Sequence, residues 1–177
     1  QQGIYVGIGI HPIVLNQAHA PIENQLERLA TFVERNLRCI HAIGECGVDK
    51  RYPLTKSEQI ALFEGQVYLA HKFKLPLVIH SVQSHHHIVE RLQQMPGLNR
   101  GVIHGFSGNY QQAKRFIDLG MKIGIGGGVT WPTAHKTRET IKLMPIDSIV
   151  LETDSPDMKL HGDTSTFNSP NKIPAIF

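Results

Sequence analysis

Four times in this chain a short apolar run meets a side chain that binds metals well. HAIGECG carries Glu45, LPLVIH ends on His80, GVIH ends on His104, and SIVLETD ends on Glu152 and Asp154. Runs that are apolar throughout, rather than alternating, mark strands buried on both faces, as in a parallel sheet covered by helices. Segments with helical periodicity lie between them. Parallel strands that close into a barrel bring their C-terminal ends to one mouth, where several strands can contribute to one site. An open doubly wound sheet concentrates its site at a single switch point. Ligand-type residues on four separate strand ends therefore favour the barrel.

The coarse pattern predicts strands over residues 4–10, 40–44, 77–79, 102–103, 121–125 and 148–151. It predicts helices over about 22–38, 56–73, 86–95, 110–119 and 134–144. The first helix carries Ile22, Leu26, Leu29, Phe32, Val33 and Leu37 on one stripe. Thr55, with Glu58 three residues on, reads as a capping box for the second. The expectation is an α/β fold of about six βα units, where eight would close a barrel.

At 177 residues the chain can bury one good core, so residues 1–177 are expected to form a single domain. The chain opens inside an apparent strand and stops where a helix could begin, so that domain is expected to be incomplete at both ends. No apolar run reaches the length of a membrane span. The net charge of +3 is scattered and forms no block, a weak pointer to an anionic partner. Cys39 and Cys46 show no disulfide framework, which fits a reducing, cytoplasmic setting.

Each candidate has a plainer alternative. A buried carboxylate such as Glu45 needs a cation or strong donors; a lysine would serve as well as a metal. A lone buried histidine is usually a hydrogen-bonded core residue, but His80 and His104 on successive strands favour a metal. Asp49 either supports a ligand or caps its loop. His85, His86 and His87 read as a solvated face. Ser107-Gly108 and Gly126-Gly127-Gly128 offer phosphate donors or tight turns. Trp131 and Tyr110 offer stacking faces for a base or pack the rim.

Taken in order, GIGIHP, AIGECGVD, LPLVIHS, VIHGFSG, KIGIGGGVTWP and VLETDSPDM resemble the TatD family of metal-dependent hydrolases, usually called deoxyribonucleases. The HGFSG and KIGIGG forms and the TRETI helix are most similar to its YjjV-like branch. The resemblance implies a TIM-type (β/α)8 barrel beginning here at the third strand, without the family's first-strand HxH metal pair. It implies Glu45, His80, His104 and Asp154 as ligands of two divalent ions, Zn²⁺, Mn²⁺ or Mg²⁺. Within that set Glu45 bridges the ions, and Asp154 holds and deprotonates the attacking water. His11 and Ser107 are implied on the substrate side. Two departures bear on substrate: Val82 stands where an Arg is common, and Lys50 where a Tyr is. Asn168-Ser169-Pro170 is similar to the family's NxP, while His161-Gly162 replaces its Arg-Gly.

The function so implied is metal-dependent cleavage of phosphodiester bonds in DNA, from single-stranded ends and exonucleolytically. The alternative is hydrolysis of an ester or amide, as in D-aminoacyl-tRNA deacylases and small-molecule amidohydrolases. A binding module with a purely structural metal is the third reading, and an open barrel mouth argues against it.

Overall fold

The computed structural model describes residues 3–16, 20–52, 56–95 and 100–177. Among these described residues six strands alternate with six α-helices: β1 Gly7–Ile8, α1 Ile22–Arg35, β2 Ala42–Asp49, α2 Lys56–Phe73, β3 Leu77–Val82, α3 His85–Gln94, β4 Gly101–Ile103, α4 Tyr110–Asp118, β5 Met121–Ile125, α5 His135–Leu143, β6 Ile149–Leu151 and α6 Ile173–Ile176. The chain folds as two compact units, residues 1–101 and 102–177.

In the first unit β1 pairs with β2 and β2 with β3, both in parallel. Ile43, Cys46, Val48, Leu77 and Ile79 are buried with Leu62, Phe63 and Val67 of α2. That accounts for the unbroken apolar runs. Two expectations shift. The first strand shrinks from seven residues to Gly7–Ile8, and of the α1 stripe only Leu29 and Val33 are buried, while Phe32 and Leu37 are exposed. The capping role of Thr55 lies outside the described residues.

The β2–β3 register runs Ile43↔Leu77 and Gly44↔Val78, then resumes at Cys46↔Ile79. Glu45 is the residue skipped, the signature of a bulge that turns a side chain out of its ordinary alternation. Gly44 and Gly47 have φ of 148° and 147°. A Cβ on either would collide with a carbonyl oxygen of β3, that of Val78 or His80, so glycine alone permits this approach.

Two buried glutamines of α2 tie down the neighbouring backbone. Gln66 accepts from the Ile10 amide at 2.7 Å and donates to the Ile10 carbonyl at 3.0 Å. Gln59 accepts from the Asp49 amide at 2.7 Å and donates to the Tyr52 carbonyl at 3.0 Å. The residue following Ile10 is His11, so α2 fixes the backbone on which two site residues sit.

The second unit pairs β5 with β6 in parallel, Ile123↔Ile149 to Ile125↔Leu151. Ile103, Phe106, Ala113, Phe116, Met121 and Ile123 are buried in it. α4 opens with Asn109, whose side chain accepts from the Gln112 amide at 2.9 Å while the Gln112 side chain accepts from the Asn109 amide at 2.9 Å. This reciprocal cap satisfies two otherwise unpaired donors.

Candidate metal centre

The first unit gathers His11, Glu45 and His80. One ligand atom from each lies within 4.8 Å of the others. Glu45 Oε2 is 3.7 Å from His11 Nε2 and 3.8 Å from His80 Nδ1, and the rings of His11 and His80 meet edge to face at 4.4 Å. These separations exceed hydrogen-bond length and admit an ion at about 2.0–2.2 Å from each atom. Two imidazoles and a carboxylate suit Zn²⁺ and Mn²⁺ well, and Mg²⁺ through its oxygen ligands. Glu45 and His80 both lie inside their strands rather than at the ends, because β2 and β3 continue to Asp49 and Val82. His11, whose implied role is on the substrate side, stands among the ligand-type residues themselves.

Behind His80 lies Asp49, wholly buried, with Oδ2 3.0 Å from His80 Nε2. Arg51 Nε donates to both oxygens of Asp49 at 3.0 Å, and the Arg51 amide donates at 3.0 Å. Burial pushes this carboxyl upward, but the side-chain and backbone hydrogen bonds of Arg51, with that of His80, outweigh it and hold the pKa at about 2. Asp49 is therefore ionised and only accepts, so His80 Nε2 must carry the proton. In the neutral ring the lone pair then sits on Nδ1, the atom on the Glu45 side. Both readings left open for Asp49 find a contact here: it caps its loop by accepting from the Arg51 amide, and it holds the ring of the candidate ligand His80. Arg51 is committed to this carboxylate.

The second unit brings together His104, Glu152 and Asp154. His104 Nδ1 is 3.5 Å from Glu152 Oε1 and 3.9 Å from Asp154 Oδ1. Glu152 Oε1 also accepts from the Gly105 amide at 2.5 Å, which makes it a partner of the backbone beside His104. Asp154 has φ of 56°, a left-handed conformation that Asp tolerates better than most residues. Asn168, 4% exposed, clamps this turn by donating to the carbonyls of Thr153 at 2.7 Å, Asp157 at 2.8 Å and Met158 at 3.1 Å. That gives the NxP-like segment a structural role which spacing alone did not reveal.

Also within the second unit is a cavity of about 660 Å³ lined by Ser107, Asn109, Gly126, Gly128, Trp131 and Lys136, among others. Ser107 and Trp131 are there; Tyr110 is not among its lining residues. The solvated histidine face is corrected in part. His85 is 7% exposed, with Nδ1 2.7 Å from Ser81 Oγ, because its place in the first turn of α3 faces the sheet. His86 is exposed, and His87 is half-buried.

Among the described residues, no helix is long and apolar enough to cross a membrane. The family described as TatD related DNase matches residues 1–177. An uncharacterized metal-dependent hydrolase of Haemophilus influenzae is 45% identical over 177 residues, covering 97% of this chain and 66% of that protein. The uncharacterized metal-dependent hydrolase YjjV of Escherichia coli is 39% identical, covering 99% and 67%. The crystal structure of YjjV superposes with a TM-score of 0.88 at 37% identity, over 99% of this chain and 67% of that one. A 3'-5' ssDNA/RNA exonuclease TatD of Pantoea ananatis is 31% identical, covering 95% and 65%. The chain thus spans about two thirds of the length of these relatives. The α/β class read from the sequence is borne out, and the structural relatives are TIM-type barrel hydrolases. The chain belongs to the TatD-related family of metal-dependent hydrolases.

Proposed function

We propose that this chain, as part of one hydrolase domain, cleaves phosphodiester bonds at single-stranded DNA ends with two divalent ions held by Glu45, His80, His104 and Asp154. The observation that carries the reading is the pairing of imidazole with carboxylate in each unit: His11, Glu45 and His80 in one, His104 and Asp154 in the other. The relatives named 3'-5' ssDNA/RNA exonuclease supply the substrate class. Divalent ions bound there would acidify water and neutralise charge on a phosphate oxygen. The residues have separate tasks. Glu45 would hold both ions, His80 would ligate through Nδ1 with Asp49 fixing its ring, and Asp154 would hold the attacking water and accept its proton. His11 lies beside Glu45, where it can ligate or meet the scissile phosphate. Two thiols without a disulfide, Cys39 exposed and Cys46 buried, support a reducing, cytoplasmic setting.

One observation favours the ester or amide reading. Val82 of β3 offers no guanidinium to clamp a phosphate in bidentate fashion, and Arg51 is paired with Asp49. The deciding experiment supplies full-length protein with Mg²⁺, Mn²⁺ or Zn²⁺ and compares a 3'-labelled single-stranded oligonucleotide with D-aminoacyl-tRNA. Nucleotide release supports the proposal; deacylation with intact DNA moves the assignment to the alternative.

A further inference from the structure

Gly128 and Trp131 border the cavity of the second unit in a way that invites a flat, anionic guest. The space of about 660 Å³ falls in the range of small-molecule sites. Among the described residues lining it, Lys136 is the only charged one; the other polar groups are hydroxyls of Ser107, Thr133 and Thr137 and the amides of Asn109 and Gln112. Among the described lining residues there is no carboxylate, and Glu152 lies behind the wall, its Oε1 3.5 Å from where a Cβ on Gly126 would stand, so Lys136 is the charge an entering anion meets on the wall itself.

Trp131 is the chain's single tryptophan and is 47% exposed. Its exposure is not that of a loose ring. Nε1 donates to the Lys159 carbonyl at 3.1 Å, and His161 packs edge-on with centroids 5.2 Å apart. Arg138 donates to the carbonyls of Val129 at 2.9 Å, Trp131 at 2.8 Å and Pro132 at 3.2 Å, fixing the loop that carries the ring. The Thr140 hydroxyl lies between the Lys136 carbonyl of its own helix at 3.0 Å and the Gly108 carbonyl at 3.1 Å, sharing its one proton between α5 and the loop at Gly108. An indole held this way presents a stacking surface at little further loss of freedom on binding.

We propose that this cavity is a nucleotide subsite, with a nucleobase stacked on Trp131 and its phosphate attracted by Lys136. The proposal rests on the nucleic-acid reading above and deepens it: it gives the hydrolase a grip on the base as well as on the backbone. Stacking accepts any base, because every base has a π-face, so the grip carries little sequence preference.

The cavity wall supplies its own control. A Cβ at Gly126 would press on Met158 Sδ at 2.7 Å, whereas a Cβ at Gly128 meets nothing within 4 Å. Gly128→Leu therefore places a side chain in open space at the border of the cavity without a clash against its frame.

The test titrates metal-free full-length protein by calorimetry with dAMP, deoxyadenosine and deoxyribose 5-phosphate. The proposal expects dAMP to bind at least about tenfold more tightly than the sugar phosphate, a base contribution of ordinary stacking size. Trp131→Ala and Gly128→Leu should each weaken dAMP about tenfold or more, and Lys136→Glu should weaken dAMP but not deoxyadenosine. Equal affinity for dAMP and deoxyribose 5-phosphate, or dAMP binding unchanged in both Trp131→Ala and Gly128→Leu, would overturn it. The two readings fail separately. Loss of dAMP binding in these variants alongside deacylase activity and no DNA cleavage keeps the subsite and removes the nuclease. DNA cleavage with a KM unaltered by Trp131→Ala keeps the nuclease and removes the subsite.

Discussion

Asp49 and His80 face each other across neighbouring strands, carboxylate Oδ2 to imidazole Nε2 at 3.0 Å, with Arg51 closing the far side of the carboxylate. Three consecutive links follow from this arrangement. Arg51 keeps Asp49 ionised, Asp49 keeps the proton on Nε2, and Nδ1, on the Glu45 side, is left with the lone pair. Carboxylate–histidine pairs of this kind raise ligand basicity and fix ring orientation, and losing the outer partner reduces metal affinity about 10–100-fold. Asp49→Asn should therefore lower affinity for Zn²⁺ by that order in calorimetric titration. The ¹⁵N shifts of the His80 ring in metal-free protein should show the Nε2–H tautomer in the parent and a mixture in the variant. A single unchanged tautomer with unchanged affinity would remove Asp49 from this role.

Glu45 is expected to matter more than either histidine beside it. It lies 3.7 Å from His11 Nε2 and 3.8 Å from His80 Nδ1, and as a bridging carboxylate it would serve both ions. Glu45→Ala should reduce bound metal towards none, while His80→Ala should cost mainly one ion. Elemental analysis of the purified proteins after dialysis measures this; full metal content in Glu45→Ala contradicts it.

The glutamines of α2 give a stability prediction independent of metal. Gln66→Leu leaves both the Ile10 amide and carbonyl without the partners they hold at 2.7 and 3.0 Å. Unsatisfied buried polar groups cost about 1–3 kcal/mol each, so a loss of roughly 2–6 kcal/mol is expected in urea denaturation. A change under about 0.5 kcal/mol would show that water replaces the side chain there.

Asp163 supplies a pH dependence. The Ser165 side chain and amide, then Lys172 at 3.1 Å, hold its carboxyl at about 2 instead of the usual 3.8. A group whose pKa falls on folding stabilises the fold above its unfolded pKa and loses that contribution as pH falls through the folded value. Urea midpoints should therefore decline between about pH 4 and pH 2. Asp163→Asn should show a shallower decline over that window, and parallel curves would contradict the assignment.

Much of the architecture was legible because buried parallel strands and amphipathic helices leave strong periodic signals. α2 at Lys56–Phe73 and β5 at Met121–Ile125 fall where the pattern puts them. The residue types that gather in each unit were also legible, since imidazoles and carboxylates on apolar runs are conspicuous. What stayed hidden depends on contacts distant in sequence. Nothing local shows that Glu45 is skipped in the β2–β3 register, because a bulge is a property of two strands. Gln59, Gln66 and Asn168 read as ordinary polar residues until the backbone groups they satisfy are known. His85 falls in a histidine run that looks solvated, and only the packing of α3 shows that it is buried.

Glu45, His80, His104 and Asp154 are proposed to run a metal-dependent cleavage of nucleic-acid ends. The direct measurement strips full-length protein of metal, restores Mg²⁺, Mn²⁺ or Zn²⁺, and follows mononucleotide release from a 3'-labelled single-stranded oligonucleotide over a salt series. No release is expected without metal, release on restoration should weaken steeply with salt as backbone contacts are screened, and Glu45→Ala should give none at any metal concentration. Release by the stripped protein, or undiminished release by Glu45→Ala, would contradict it.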